Sequence, residues 1–266
     1  MGRFLIGMFG VTFVLIANPA SVLAENVLRW GSVGGALTFD PHAYNEIPTS
    51  AQIRQVYERL LDFDSNLQLT PQLAVAWRPL NPTTWQFELR PHVRFHDGTP
   101  FGARDVVFSI ARAESDIPAG FADYVAGIAA VRAVDDHTVQ IETHDPDPQL
   151  WDKLTNVGIM SERWARTHDA GVPANVSAGK ESFASRHANG TGPFILQKFE
   201  PSGSVVMVRN PDWWGLGRYP HNLDRIEFTR RPPTPSSASL HCVKATSTCL
   251  SIPRSRRSIR LGAHRA

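Results

Sequence analysis

Four groups of residues in this 266-residue chain are candidates for metal binding, catalysis, anion binding or ligand stacking. His92 and His96 lie four positions apart, the spacing that sets two imidazoles on one helical face as zinc ligands. Pro91 and the alternating pattern around them argue for extended chain, where their α-carbons would stand ~13 Å apart, too far for one ion to bridge without a bend. Ser109, Asp105 and several histidines are ingredients for a nucleophile with a base and an orienting group. No G-x-S-x-G or H-E-x-x-H spacing organises them. Gly190-Thr191-Gly192 could offer backbone N–H groups to an anion, but no Gly-Lys-Ser/Thr end follows and Pro193 removes one donor. Trp213 and Trp214 could stack on a ligand or serve packing. Neither a metal site nor a cofactor is expected.

The local structure around these groups is clearest between Trp85 and Arg112. Trp85, Phe87 and Leu89 alternate with polar residues, the period of a half-buried strand. Val93 and Phe95 resume the alternation until Asp97-Gly98 forces a turn. The period then changes: Val106, Val107, Ile110 and Ala111 fall on one helical face, with Gly102 as N-cap and Asp105 beside the positive end. Asp105 therefore already has a structural explanation.

Elsewhere, Val27–Trp30 reads as a strand, and Asp40-Pro41 as a turn. Thr49–Gln52 fits a capping box, and Ile53, Val56, Tyr57 and Leu60 repeat at helical spacing. Pro71 predicts a short or edge strand, and Trp77 precedes a Pro-rich turn. Val131–Val134 and Thr138–Glu142 read as a hairpin, Leu150–Leu154 and Ser161–Thr167 as short helices, and Asp169–Ser185 as a surface segment. Val205–Arg209 reads as a strand apolar on both faces, and Leu223–Thr229 as another strand.

The ordered motifs W-x-F-x-L-R, V-x-F-x-D-G-x-P and A-x-D-V-V-x-S between Trp85 and Ser109 resemble the family 5 extracytoplasmic solute-binding proteins, the dipeptide, oligopeptide and nickel receptors of ABC importers. Gly190-Thr191-Gly192-Pro193-Phe194 and Arg209-Asn210-Pro211-Asp212 followed by Trp214 extend the likeness, which covers about residues 27–230. It implies an α/β fold: the N-terminal lobe of a two-lobed periplasmic-binding-protein fold (type II, cluster C), truncated. Residues 25–57 and 188–230 would form a sheet subdomain and 58–187 an inserted α/β subdomain. The resemblance places the Asp40-Pro41-His42 loop at the lip of a ligand cleft. Ligand contacts carried over from it fall on Asn45, Glu46, Ile47 and Phe121, where backbone groups would pair with a peptide as an added strand does. It also implies capture of a peptide or other small solute by a monomer and delivery to ABC permease subunits. The alternative function is a periplasmic hydrolase acting on peptides.

Charge and address fit that reading. Arg3 and the apolar run Phe4–Ala17 precede Val22-Leu23-Ala24, which predicts a signal peptide at 1–24 and a periplasmic location; the run is short for a membrane span of ~20 residues. Of the 27 basic residues eight follow Glu227, so residues 1–227 carry 19 − 25 = −6 and the remainder +8. The body offers no nucleic-acid surface, which would need clustered Lys and Arg on a net basic face. Residues 231–266 hold both cysteines, Cys242 and Cys249, no acidic residue and much Ser, Pro and Arg. That composition cannot offset the entropy of ordering, and either a shifted reading frame in a truncated gene or a basic extension would account for it. Without a second lobe, little ligand affinity is expected, with apolar surface exposed where further strands would pack.

Overall fold

The computed structural model describes residues 25–117, 120–201 and 203–230; the predicted signal segment 1–24 and the tail 231–266 lie outside the described residues. Two four-stranded sheets organise them. One draws on distant parts of the chain: β1 (Val27–Ser32), β8 (Phe194–Glu200), β9 (Ser204–Arg209) and β10 (Arg225–Arg230), in the order β1-β10-β9-β8. β1 runs parallel to β10, with Val27 opposite Arg225, and the other pairs are antiparallel. The second is local and wholly antiparallel: β4 (Ala74–Asn81), β5 (Thr84–Leu89), β6 (Ile128–Asp135) and β7 (Thr138–Thr143), in the order β4-β5-β7-β6. A two-stranded sheet joins β2 (Leu61–Phe63) to β3 (Leu69–Pro71), with Pro71 closing the short strand. The helices are α1 (Ile47–Ile53), α2 (Ala103–Ala113), α3 (Ala122–Val125), α4 (Leu150–Leu154) and α5 (Glu162–Thr167).

The apolar core divides in the same way. Residues from Leu60 to Ile159 form one buried cluster with β4–β7, and residues 36–57 and 160–228 form the other with β1 and β8–β10. Met160, Ala165, Ala170 and Ala184 pack with the end-built sheet, so the return to its cluster comes earlier than residue 188.

Local chemistry explains several elements and corrects others. Phe87 and Leu89 are buried on one face of β5 as the alternation requires. Val93 and Phe95 are buried too, but they sit in a tight loop with a bridge between Arg94 and Pro100, and Gly98 takes a positive φ of 82°. Gly102 caps α2 and donates its N–H to the Asp105 carboxylate at 2.9 Å. The apolar stripe of α2 is Ala103, Val106, Ile110 and Ala113; Val107 is only half-buried and Ala111 is exposed. The helix is rotated because its polar flank, Asp105, Ser109 and Arg112, is buried as well.

The predicted helix through Leu60 stops at Ile53, and its N-cap is Glu46 instead of Thr49. All of Ile53, Val56, Tyr57 and Leu60 are buried, so the helical spacing marks burial beyond the helix's end. The reason is tertiary: Phe194 and Gly192 donate their N–H groups to the Gln55 and Val56 carbonyls, which would otherwise carry helical bonds. Thr49 instead accepts from the Leu37 N–H. The predicted Pro-rich turn after Trp77 is strand, because β4 is at the sheet edge, where Pro79 need not donate. β9 buries one face, through Val205 and Met207, and leaves Val206 and Val208 half-buried.

Candidate functional site

Asn45, Glu46 and Ile47 form the exposed approach to α1. Glu46 is its N-cap in extended backbone, which turns the chain outward just before the helix. Ile47 is 85% exposed, an apolar side chain offered to solvent. Phe121 belongs to the other core cluster and reaches the same place as the N-cap of α3. The Asn45 amide donates to the Tyr124 hydroxyl at 3.0 Å, joining residues 79 apart in sequence. Phe121 is buried, with its ring near those of His42 and Tyr124, while half-buried Tyr124 presents a partly accessible edge. Thus the four residues predicted to touch a ligand lie near one another on a face where the two clusters meet. Tyr124, which the sequence did not single out, joins them through its hydrogen bond to Asn45.

Behind this face lies a buried ion pair. Asp40 and Arg112 have fully buried side chains joined by two hydrogen bonds of 2.6 and 2.7 Å. Asp40 also accepts from the Ala174 N–H and the Ser182 hydroxyl, and Arg112 donates to the Ala170 and Val172 carbonyls. Burial alone would raise the Asp40 pKa, but hydrogen bonds and charge from Arg112 hold it below the usual carboxylate value. His42 is pushed down to about 3 by burial and then by the Arg112 charge. It is therefore neutral, donating from Nε2 to the Gly158 carbonyl at 2.8 Å and accepting from Arg112 at Nδ1. Loop 37–42, α2 and segment 158–182 are tied together three to five residues before the exposed 45–47 segment. Asp40 is thus far more than a turn residue, and 169–185 is a partly buried strap over this pair and no mere surface segment. A sequence signal existed: Asp105, Ser109 and Arg112 recur at i, i+4 and i+7 beside the apolar stripe, the mark of a buried polar flank.

The other chemically suggestive groups are occupied internally. His92 is exposed, while His96 is half-buried, held near pKa 4 by desolvation, and hydrogen-bonded to the Gly192 carbonyl. Among the described residues no cluster of three metal-ligating side chains exists. Asp105, raised to about 6 by burial, accepts from the N–H groups of Gly102 and Glu162, and the Ser109 hydroxyl donates to the Asp105 carbonyl. No base reaches that hydroxyl. Gly190 and Gly192 lie against the backbone of 55–57, where a Cβ on Gly192 would fall 2.7 Å from two carbonyl oxygens; the N–H of Gly192 is bonded to Val56 and is not available to an anion. Trp213 and Trp214 donate their indole N–H groups to the two oxygens of buried Glu58, at 3.0 and 2.8 Å. Burial raises Glu58 to about 7 against those two bonds. The tryptophan pair is a structural clamp around a carboxylate that no sequence pattern marked.

Residues 68–240 match the family described as "Bacterial extracellular solute-binding proteins, family 5 Middle". The chain belongs to this family. The match runs past residue 230, where the motif likeness ends. Among family 5 relatives, the periplasmic oligopeptide-binding protein OppA of Escherichia coli is 25% identical over 226 residues, covering 74% of this chain and 38% of OppA. The periplasmic murein peptide-binding protein MppA of the same organism is 26% identical over 195 residues, covering 66% and 35%. The crystal structure of NikZ from Campylobacter jejuni with Ni(L-His) superposes with a TM-score of 0.66 at 22% identity, covering 79% of this chain and 40% of NikZ. DppA from Helicobacter pylori with the peptide STSA gives 0.66 at 21%, covering 78% and 43%. The α/β fold is therefore that of family 5 periplasmic binding proteins, and this chain spans less than half the length of the relatives it matches. These relatives are binding proteins, and no helix of the described residues is long and apolar enough to cross a membrane.

Proposed function

We propose that this chain is the substrate-binding component, or a part of one, of an ABC importer that takes up peptides or a related small solute. The observation that carries the reading is the joint one of family membership and an exposed face, Asn45–Ile47 beside Phe121 and Tyr124, braced from behind by the Asp40–Arg112 pair. Extended backbone at Glu46 and a free apolar side chain at Ile47 suit an extended ligand that pairs through its main chain and meets side chains loosely. The hydrolase reading finds no support: the Ser109 hydroxyl is buried and engaged with backbone, and the relatives are binding proteins.

The same proposal gives the protein a periplasmic location, a cleavable signal peptide at 1–24, permease subunits as partners, a monomeric state and no nucleic-acid role. It divides the body into a sheet subdomain (25–57, 188–230) and an insertion (58–187), supported by the two core clusters, with the strap of 160–187 packed against the sheet's cluster. Capture between two lobes needs a second wall, since ligand binding shifts a hinged protein only through contacts made in the closed state. The apolar residues Leu28, Trp30, Val33 and Leu37 exposed along β1 and the turn after it fit a surface that further chain would cover. The test is alanine at Asn45 and Glu46 in a version extended to the relatives' length, titrated with peptides by calorimetry. At least a tenfold loss of affinity is expected; unchanged affinity removes these residues from the site.

A further inference from the structure

A cavity of about 850 Å³, lined by none of the residues of the Asn45–Ile47 face, opens between the loop before α2, the β6–β7 turn and α5. Its size falls in the range of small-molecule sites, roughly 300–1,000 Å³. Four arginines line it: Arg94, Arg104, Arg163 and Arg166. Their arrangement is costly on structural grounds alone. Arg104 is in the first turn of the eleven-residue α2, where a cation opposes the helix dipole, and Arg163 is in the first turn of α5. Neither has a carboxylate within ion-pair distance among the described residues. Arg94 donates to the Gly98 carbonyl, which leaves its charge uncompensated.

The lining carboxylates neutralise this group only in part. Asp105 accepts from two backbone N–H groups, and Glu162 pairs with Arg166. Asp136 remains, its side chain without an ion pair among the described residues while its carbonyl accepts from Ala103. Three cations without an ion pair, Arg94, Arg104 and Arg163, therefore line the cavity with two carboxylates, Asp105 and Asp136, in a body whose residues 1–227 carry 19 − 25 = −6 overall. Concavity, unpaired arginines on separate elements and a cation at the unfavourable end of α2 converge on one explanation. We propose that this cavity is a binding site for a compact polyanion, a small molecule bearing phosphate groups or several carboxylates, held chiefly by Arg104 and Arg163. Guanidinium groups suit either source, because their planar donor pairs match carboxylate and phosphate oxygens.

The experiment is calorimetric titration of the full chain with inorganic pyrophosphate and, separately, with citrate, at constant ionic strength set with chloride. Saturable one-to-one binding of at least one probe is expected; the tighter one identifies the source. The double variant R104E/R163E should weaken it at least tenfold, and Asp136→Asn should tighten it by removing the opposing charge. Both sites are exposed, and a matched melting temperature verifies that the variants fold. If R104E/R163E does not fold, Asp136→Asn and the single variant R163Q decide by the same two directions. Absence of saturable binding overturns the proposal, as does binding indifferent to these substitutions. Peptide affinity at the Asn45 face is unaffected in either case, so the two sites fail separately.

Discussion

The two four-stranded sheets differ in how far apart the chain must reach to build them. The sheet β4-β5-β7-β6 closes within residues 74–143, with hairpins supplying two of its three pairings. The sheet β1-β10-β9-β8 sets Val27 beside Arg225. The first is two local hairpins joined through β5 and β7; the second needs nearly the whole described chain before its edge strand can pair. The candidate ligand face lies on neither sheet. It forms where the two clusters meet, and groups from both sides hold it: Asp40 and His42 come from the chain that follows β1, and Arg112 from the helix packed on the local sheet. The candidate ligand face thus rests on a junction whose polar groups, Asp40, His42 and Arg112, are satisfied within the protein.

Substitutions at the junction sharpen this contrast. The largest effect is expected for Asp40→Asn, which leaves Arg112 buried without its counter-charge and costs about 3–5 kcal/mol, read as a drop in stability on urea denaturation. Hydrogen exchange should rise in segment 37–47 and the 170–174 strap while β5 and β7 stay protected; uniform loosening would contradict a separable local sheet. Gly190→Ala is next. Its methyl group would strike the Val56 carbonyl, for a cost of about 1–3 kcal/mol in the same assay, again with β5–β7 spared.

The third effect depends on pH. Glu58 is raised from 4.5 to about 7 by burial, so the folded state holds this proton more tightly than the unfolded one. Its contribution favours folding most below pH 4.5 and declines as pH rises to about 7. His42 and His96, lowered to about 3 and 4, act oppositely: their neutral forms favour folding above pH 6.5, and that support is lost as pH falls toward 4. Between pH 4.5 and 6.5 the trends oppose each other, giving a shallow profile. Glu58→Gln should unmask the histidines. The stability of wild type relative to Glu58→Gln should fall between pH 4.5 and 7 and be flat above; a pH-independent difference would refute the assignment. The smallest effect is that of Asn45→Ala, which removes one exposed hydrogen bond to Tyr124 and should change stability by about 1 kcal/mol or less.

Much of the local sheet was legible because its information is local. The alternation of Trp85, Phe87 and Leu89, the Asp97-Gly98 turn, and the Gly102–Asp105 cap are each determined within a few residues. The end of α1 was not, because carbonyls at Gln55 and Val56 are taken by a turn more than 130 residues away. Pro79 misled for a related reason: its tolerance depends on β4 being an edge, which is a property of the sheet. Asn45, Glu46, Ile47 and Phe121 came from motif likeness, and the fold brings them together. Tyr124 needed coordinates, since its partner is 79 residues distant. The Glu58 clamp also left no trace, because a lone glutamate in an apolar stretch looks like any other until two indoles point at it.

We propose that Asn45, Glu46 and Ile47, with Phe121 and Tyr124, form one wall of a ligand site that is weak without a second wall. The most direct measurement is a peptide titration of the isotope-labelled chain, followed residue by residue by nuclear magnetic resonance. The predicted result is weak binding, with Kd on the order of 1 mM, the scale of an association worth about 4 kcal/mol, and resonance shifts confined to residues 45–47 and 121–124. Micromolar binding, or shifts centred on any other surface, would contradict it.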